Sequence, residues 1–162
     1  MESGLVLACK GGKTESLKTS GSSMRCNALL GVPLNGGRLA PLVLFKGELN
    51  GRVAGNISGM PVSTKYICQD MAWVDQMVYK HWIMEIWTPF ALMKVNPTYI
   101  LMDEFCVHMM SICCNEIKDS ATEIDHIIGG CTSKLQVMYV GVYKPFTGLI
   151  WQEYEKIYYW TC

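Results

Sequence analysis

The chain has 162 residues, half of them apolar and 17% charged, with fourteen basic residues balanced by fourteen acidic ones. Such a length suits one domain with a real core, and the composition excludes a disordered chain. Zero net charge excludes a global field that recruits DNA or an anionic membrane, so any nucleic-acid site has to be local. The eight cysteines (9, 26, 68, 106, 113, 114, 131, 162) contain no C-x-x-C pair. They read as buried intracellular thiols. The short apolar run Leu5–Cys9 is far below signal-peptide length, and no stretch is long enough to span a membrane. The expectation is a soluble, intracellular protein.

Residues 10–23 are rich in Gly, Lys, Ser and Thr, with a short strand expected at Thr14–Thr19. Cys26–Pro33 and Leu39–Lys46 follow as two strands around the Asn35-Gly36-Gly37 turn, in an antiparallel arrangement. Residues 47–63 form a Gly, Asn and Ser-rich loop. Its glycine spacing over Gly51–Gly59 is only a weak phosphate-loop signal, because no strand leads directly into it. Asp70 to about Leu92 is the longest helical pattern. Trp73, Val74, Met77, Val78, Trp82, Ile86 and Phe90 lie on one stripe, leaving Asp75, Lys80 and Glu85 for solvent, and Asp70 can cap the start.

Thr98 to Met102 reads as a short buried strand after Pro97, ending in Asp103 and Glu104. A carboxylate at the C-terminal end of such a strand can hold a metal or act as an acid. It can equally just begin the turn and cap the following helix. Val107–Lys118 is a second helix, with Met109, Met110, Cys113, Cys114 and Ile117 turned inward. Thr122–Ile128 is a further strand, ended by Gly129-Gly130. The chain beyond Lys134 is helix-prone apart from Pro145, with Phe146, Ile150, Tyr154 and Ile157 on one stripe. The sequence therefore reads as an α/β domain with an antiparallel and a parallel part.

Only three histidines (81, 108, 126) are available, and no two ligand pairs have zinc spacing. Cys106 or Cys131 with His108 or His126 could form a nucleophilic pair, since such partners meet only in space. Buried structural thiols are the plainer account.

Several phrases together resemble the DDE superfamily, in particular the endonuclease domain of pogo/Tigger-type transposases. They are Arg25-Cys-Asn-Ala-Leu-Leu-Gly-Val32, Pro41-Leu-Val-Leu-Phe-Lys-Gly47, Cys68-Gln-Asp-Met-Ala-Trp-Val74, Ile100-Leu-Met-Asp103 with His108, and Asp125-His-Ile-Ile-Gly-Gly-Cys-Thr-Ser133. Leu135-Gln136, Val140-Gly-Val142 and Lys144-Pro-Phe146 continue the match. The resemblance covers residues 10–158, leaving 1–9 as a divergent N-terminal segment and 159–162 as a tail. It implies a ribonuclease H-like mixed sheet flanked by helices. It also implies Mg2+- or Mn2+-dependent cutting and joining of DNA, with two ions held by three carboxylates.

The chain departs from that pattern. Asp103 matches the second acid and is the one residue placed to ligate metal. Tyr139 stands where the third acid should be, and a phenol with a pKa of about 10 cannot replace a carboxylate on magnesium. The first acid belongs to a strand before the matching part, so the first, central strand is expected to be lacking. These departures imply a transposon-derived domain with a vestigial Asp103 and no bound metal. At most it would keep interaction activity or weak, non-specific DNA contact, with Lys46 and Lys144 as the contacts to test. The resemblance points to a nuclear location and to no membrane role. The alternatives are a working nuclease that recruits Glu104 or Glu153 beside Asp103, and an unrelated α/β binding domain.

Overall fold

The computed structural model describes residues 26–160, apart from 36, 49 and 132–134. The strand expected at Thr14–Thr19 lies outside the described residues. The architecture is mixed α/β, as the alternation of patterns predicts. Strand β1 (Cys26–Leu29) runs antiparallel to β2 (Leu42–Lys46), pairing Cys26 with Phe45 and Leu29 with Leu42. Both strands are shorter than the sequence suggests, because the chain between them spreads into an open loop. Gly31 accepts from the Leu39 amide there, and a Cβ at Gly31 would sit 2.6 Å from the Leu39 side chain.

The glycine-rich segment contains a five-residue helix, α1 (Arg52–Asn56), and a 3-10 turn (Ile57–Gly59). It is followed by β3 (Lys65–Gln69), a strand that the sequence reading left unassigned. β3 pairs parallel with β2, so the first sheet has the order β1-β2-β3. Leu42 and Leu44 of β2 are fully buried, as alternation on a strand with one core-facing side requires.

The long helix starts later than its apolar pattern predicts. Helix α2 (Gln76–Trp82) is capped by Asp75, whose Oδ1 accepts from the Val78 amide at 2.9 Å. Asp70 does not cap it, and Asp75 is not a solvated side chain. Gln69 explains the shift. Its Oε1 accepts from the Met71 and Trp73 amides, and its Nε2 donates to Asp75. This folds residues 70–74 into a loop with Ala72 at a φ of 50°. Trp73 and Met77 are consequently exposed rather than core. Tyr79, which no stripe had included, is buried instead.

The helix then widens into a π-helical turn (Ile83–Trp87) before α3 (Thr88–Leu92). Pro89 accounts for the widening, since it has no N–H to give the carbonyl four residues back and its ring crowds that carbonyl. Tyr79, Trp82 and Trp87 form a stacked row with centroids 5.6 and 6.1 Å apart.

Strand β4 (Thr98–Asp103) pairs in parallel only with β5 (Thr122–Ile127) among the described residues, Asp103 opposite Ile127. Helix α4 (Ser111–Lys118) connects them and buries Cys113 and Ile117 completely, while Met109 stays exposed. The two sheets share no strand pairing, yet Leu42, Leu44, Tyr79, Trp82, Met102 and Ile117 belong to one core. After β5 come a second π-helical stretch (Met138–Tyr143) and helix α5 (Lys144–Trp160). Pro145 does not interrupt that helix. It follows the π-helical stretch directly, as Pro89 does, and the helical run continues past it to Trp160.

Helix α4 ends with Ala121 at a φ of 52°, and the Ala121 amide donates to the Lys118 carbonyl. A left-handed conformation costs an L-residue roughly 1–2 kcal/mol that glycine escapes. Part of that gain is offset by glycine's freedom in the unfolded chain. Ala121→Gly is therefore expected to stabilise the fold by about 0.5–1 kcal/mol in urea unfolding, and a loss of stability would show that the Ala121 methyl group makes a contact that matters.

Candidate functional site

The site is built at the C-terminal end of β4. Met102 points into the core at 7% exposure, so the next residue, Asp103, faces the other side of the strand. Its carboxylate leaves the sheet where the chain turns, and Oδ1 accepts from the Phe105 amide at 3.3 Å. Asp103 thus begins the turn, but it does not cap the following helix, whose N-cap is Met110 with no side-chain cap bond. His108 sits one turn later, and its Nδ1 lies 2.8 Å from Asp103 Oδ1 and 3.2 Å from the Asp103 carbonyl. The other carboxylate oxygen, Oδ2, accepts from Gln136 Nε2 at 3.0 Å. Both side chains of the His108–Asp103 pair are about three-quarters covered.

Each neighbour is held in turn. The imidazole of His108 packs against the Tyr79 ring at 4.8 Å and edge-on to Phe105 at 5.5 Å. Cys114 Sγ donates to the His108 carbonyl at 3.1 Å. That backbone contact is how a thiol meets His108, and the nucleophilic Cys106 or Cys131 pairing has no counterpart among the described contacts. The Tyr79 hydroxyl donates to Met102 Sδ at 2.8 Å. Burial pushes its phenol well above the ordinary range, with Cys113, Cys114 and Asp103 adding to the shift. Tyr143 is also raised by burial and, less, by Asp103, while a hydrogen bond to the Leu30 backbone opposes the rise. Tyr143 therefore lies between the end of β1 and the end of β4.

The remaining sequence-nominated residues are scattered. Tyr139 is 55% exposed, and it is Gln136, three residues earlier, that touches Asp103. Glu104 accepts from the Gly129 amide at 2.7 Å, and Glu153 pairs with Lys156 on the exposed side of α5. Lys46 ends β2 opposite Gln69, and Lys144 is exposed at the start of α5. Gln136 and Tyr143 escaped the sequence reading. Gln136 lies inside a matching phrase, but an amide there carries no metal chemistry and so gave no signal.

For a divalent metal this donor set offers one carboxylate, Asp103, whose oxygens already meet the Phe105 amide, His108 Nδ1 and Gln136 Nε2, whereas such an ion takes several oxygen ligands. Among the described residues, no three His, Cys, Asp or Glu side chains converge.

Residues 23–157 match the DDE superfamily endonuclease family. Relatives include the "Pogo transposable element with KRAB domain" of Homo sapiens and that of Mus musculus. Each is 26% identical over 151 residues, covering 91% of this chain and 24% of the relative. The chain thus spans about a quarter of the length of these curated relatives. No solved structure gives a significant match. Since the family match covers most of its length, the chain belongs to the DDE superfamily of endonucleases.

Proposed function

We propose that this chain is a transposon-derived DDE domain in which the metal-binding carboxylate has become a structural hub. In this reading it no longer cuts DNA. The observation that carries the proposal is that Asp103 is engaged by its neighbours and stands without other ligands. Its oxygens meet the Phe105 amide, His108 Nδ1 and Gln136 Nε2, and among the described residues no three metal-ligating side chains converge. The two other acids that could be recruited are engaged elsewhere, Glu104 with the Gly129 amide and Glu153 with Lys156.

The proposal includes a ribonuclease H-like arrangement across residues 10–158, with 1–9 and 159–162 outside the domain. The pairing supports it. β1 and β4 each have one partner among the described residues, and Tyr143 reaches from Leu30 toward Asp103, so the two strand ends lie near each other. A central strand between them would complete one mixed sheet. Nucleic-acid contact in this reading is local and non-specific, through Lys46 and Lys144, and the location is nuclear.

Three outcomes test the reading. The chain should not nick supercoiled plasmid with Mg2+ or Mn2+, because positioning and charge neutralisation by the ions supply most of the acceleration in phosphoryl transfer. Nicking with Mn2+ that disappears in Asp103→Ala would make the domain an enzyme. The same variant should lower the unfolding free energy by about 1 kcal/mol, the net worth of hydrogen bonds whose partners are at most partly buried. An unchanged urea midpoint would remove the hub role. In gel shifts at physiological salt, DNA should bind more weakly than about 10⁻⁵ M with a shallow salt slope. Nanomolar, sequence-selective binding would contradict this.

A further inference from the structure

Two asparagines of this chain directly precede glycine, Asn35-Gly36 in the loop between β1 and β2 and Asn50-Gly51 before α1. Both asparagines are exposed. In such a dipeptide the glycine nitrogen can attack the asparagine Cγ, because the glycine has no Cβ to obstruct the approach. A C–N bond forms between them and the Cγ–Nδ2 bond breaks. Nδ2 leaves as ammonia, taking the proton that the backbone amide gives up. Water then opens the five-membered succinimide at one or other carbonyl, leaving aspartate or isoaspartate. Water is the only co-reactant, and nothing is oxidised or reduced.

The fold treats the two asparagines differently. The Asn35 side chain bends along its own main chain, and its Oδ1 accepts from the Gly37 amide at 3.1 Å. This turn holds the carboxamide in the curled posture from which the ring closes. It also aims an N–H at the oxygen on which negative charge develops when Cγ is attacked. A donor placed there stabilises the tetrahedral intermediate, as an oxyanion hole does. At Asn50 the attacking nitrogen is itself committed. The Gly51 amide donates to the Glu48 carbonyl at 3.0 Å, and the Gly51 carbonyl accepts from the Gly55 amide at 3.2 Å as α1 begins. Attack on Asn50 first requires the bond to Glu48 to be given up.

We propose that Asn35 is a site of spontaneous deamidation in the folded chain, and that Asn50 is protected from the same reaction. The product puts a carboxylate in the loop that the Leu39 amide closes on the Gly31 carbonyl. It also moves a chain of balanced charge to a net negative one. Where isoaspartate forms, an extra carbon enters the backbone between β1 and β2. The modification needs no enzyme, so it accumulates with the age of the molecule.

Peptide mapping by mass spectrometry of the full chain, incubated at neutral pH and sampled over days, tests this. Asn35 should be converted about fivefold faster than Asn50 or more, the rate equivalent of one net hydrogen bond. The same incubation in urea, where neither turn persists, should bring the two rates together. Gly37→Pro keeps the Asn-Gly pair but removes the donor. It should slow conversion of Asn35 in the folded chain and leave Asn50 as it was, with folding read by circular dichroism. If that variant misfolds, the folded and unfolded wild type still decide the matter. Equal rates in the folded wild type, faster loss at Asn50, or a rate ratio that survives unfolding would each overturn the proposal. A folded Gly37→Pro chain that loses Asn35 at the wild-type rate would overturn the part given to the Gly37 amide.

Discussion

One carboxylate, that of Asp103, ties together three segments that follow β4. One side chain receives hydrogen-bond donors from the turn that follows it, from His108 before α4, and from Gln136 beyond β5. A carboxylate withdrawn from water must recover its lost solvation from such donors, and hydrogen bonds to a charged group are stronger than those between neutral ones. The donors are distributed so that the segment after β5 is fastened to the end of β4. Tyr143 continues this fastening to the end of β1. A position that suits a metal ligand, at the end of a buried strand beside a turn, suits a structural hub for the same reasons.

Beneath this hub the two sheets meet in one packed core. Tyr79, Trp82 and Trp87 form the slab between them, and rows of aromatic rings contribute somewhat more than their buried area. The end of the slab is pinned by polar contacts. Trp87 Nε1 donates to Thr122 Oγ1 at 3.2 Å, and Thr122 shares its hydroxyl with Thr98 and Ser120. These bonds hold the starts of β4 and β5 in register, and that register decides which residues emerge at the far end beside Asp103.

How much of this was legible in the sequence varies with the element. Strands β4 and β5 and the buried side of α4 follow from short apolar runs and i, i+4 spacing, and Cys113 and Ile117 lie where the pattern puts them. The start of α2 did not follow. The apolar spacing runs back through Trp73, but Gln69 captures the local amides and Asp75 takes the cap. Side-chain hydrogen bonds of this kind compete with helix and leave no trace in a hydrophobic period. β3 went unassigned because its five residues lie between the glycine-rich loop and the helical pattern, too short a run to show a period of its own. Asp103 was singled out by its place on the strand, whereas its partners His108 and Gln136 meet it only in space. Tyr139 followed from alignment to a phrase, and the packing leaves it in solvent.

The match across residues 23–157 describes ancestry, while the donor set around Asp103 bears on what the chain can bind. The most direct measurement of the central claim is Mn2+ binding followed by electron paramagnetic resonance, comparing the wild type with Asp103→Ala. A carboxylate committed to Phe105, His108 and Gln136 predicts no saturable Mn2+ site and the same spectrum for both proteins. A saturable site that vanishes in Asp103→Ala would contradict it.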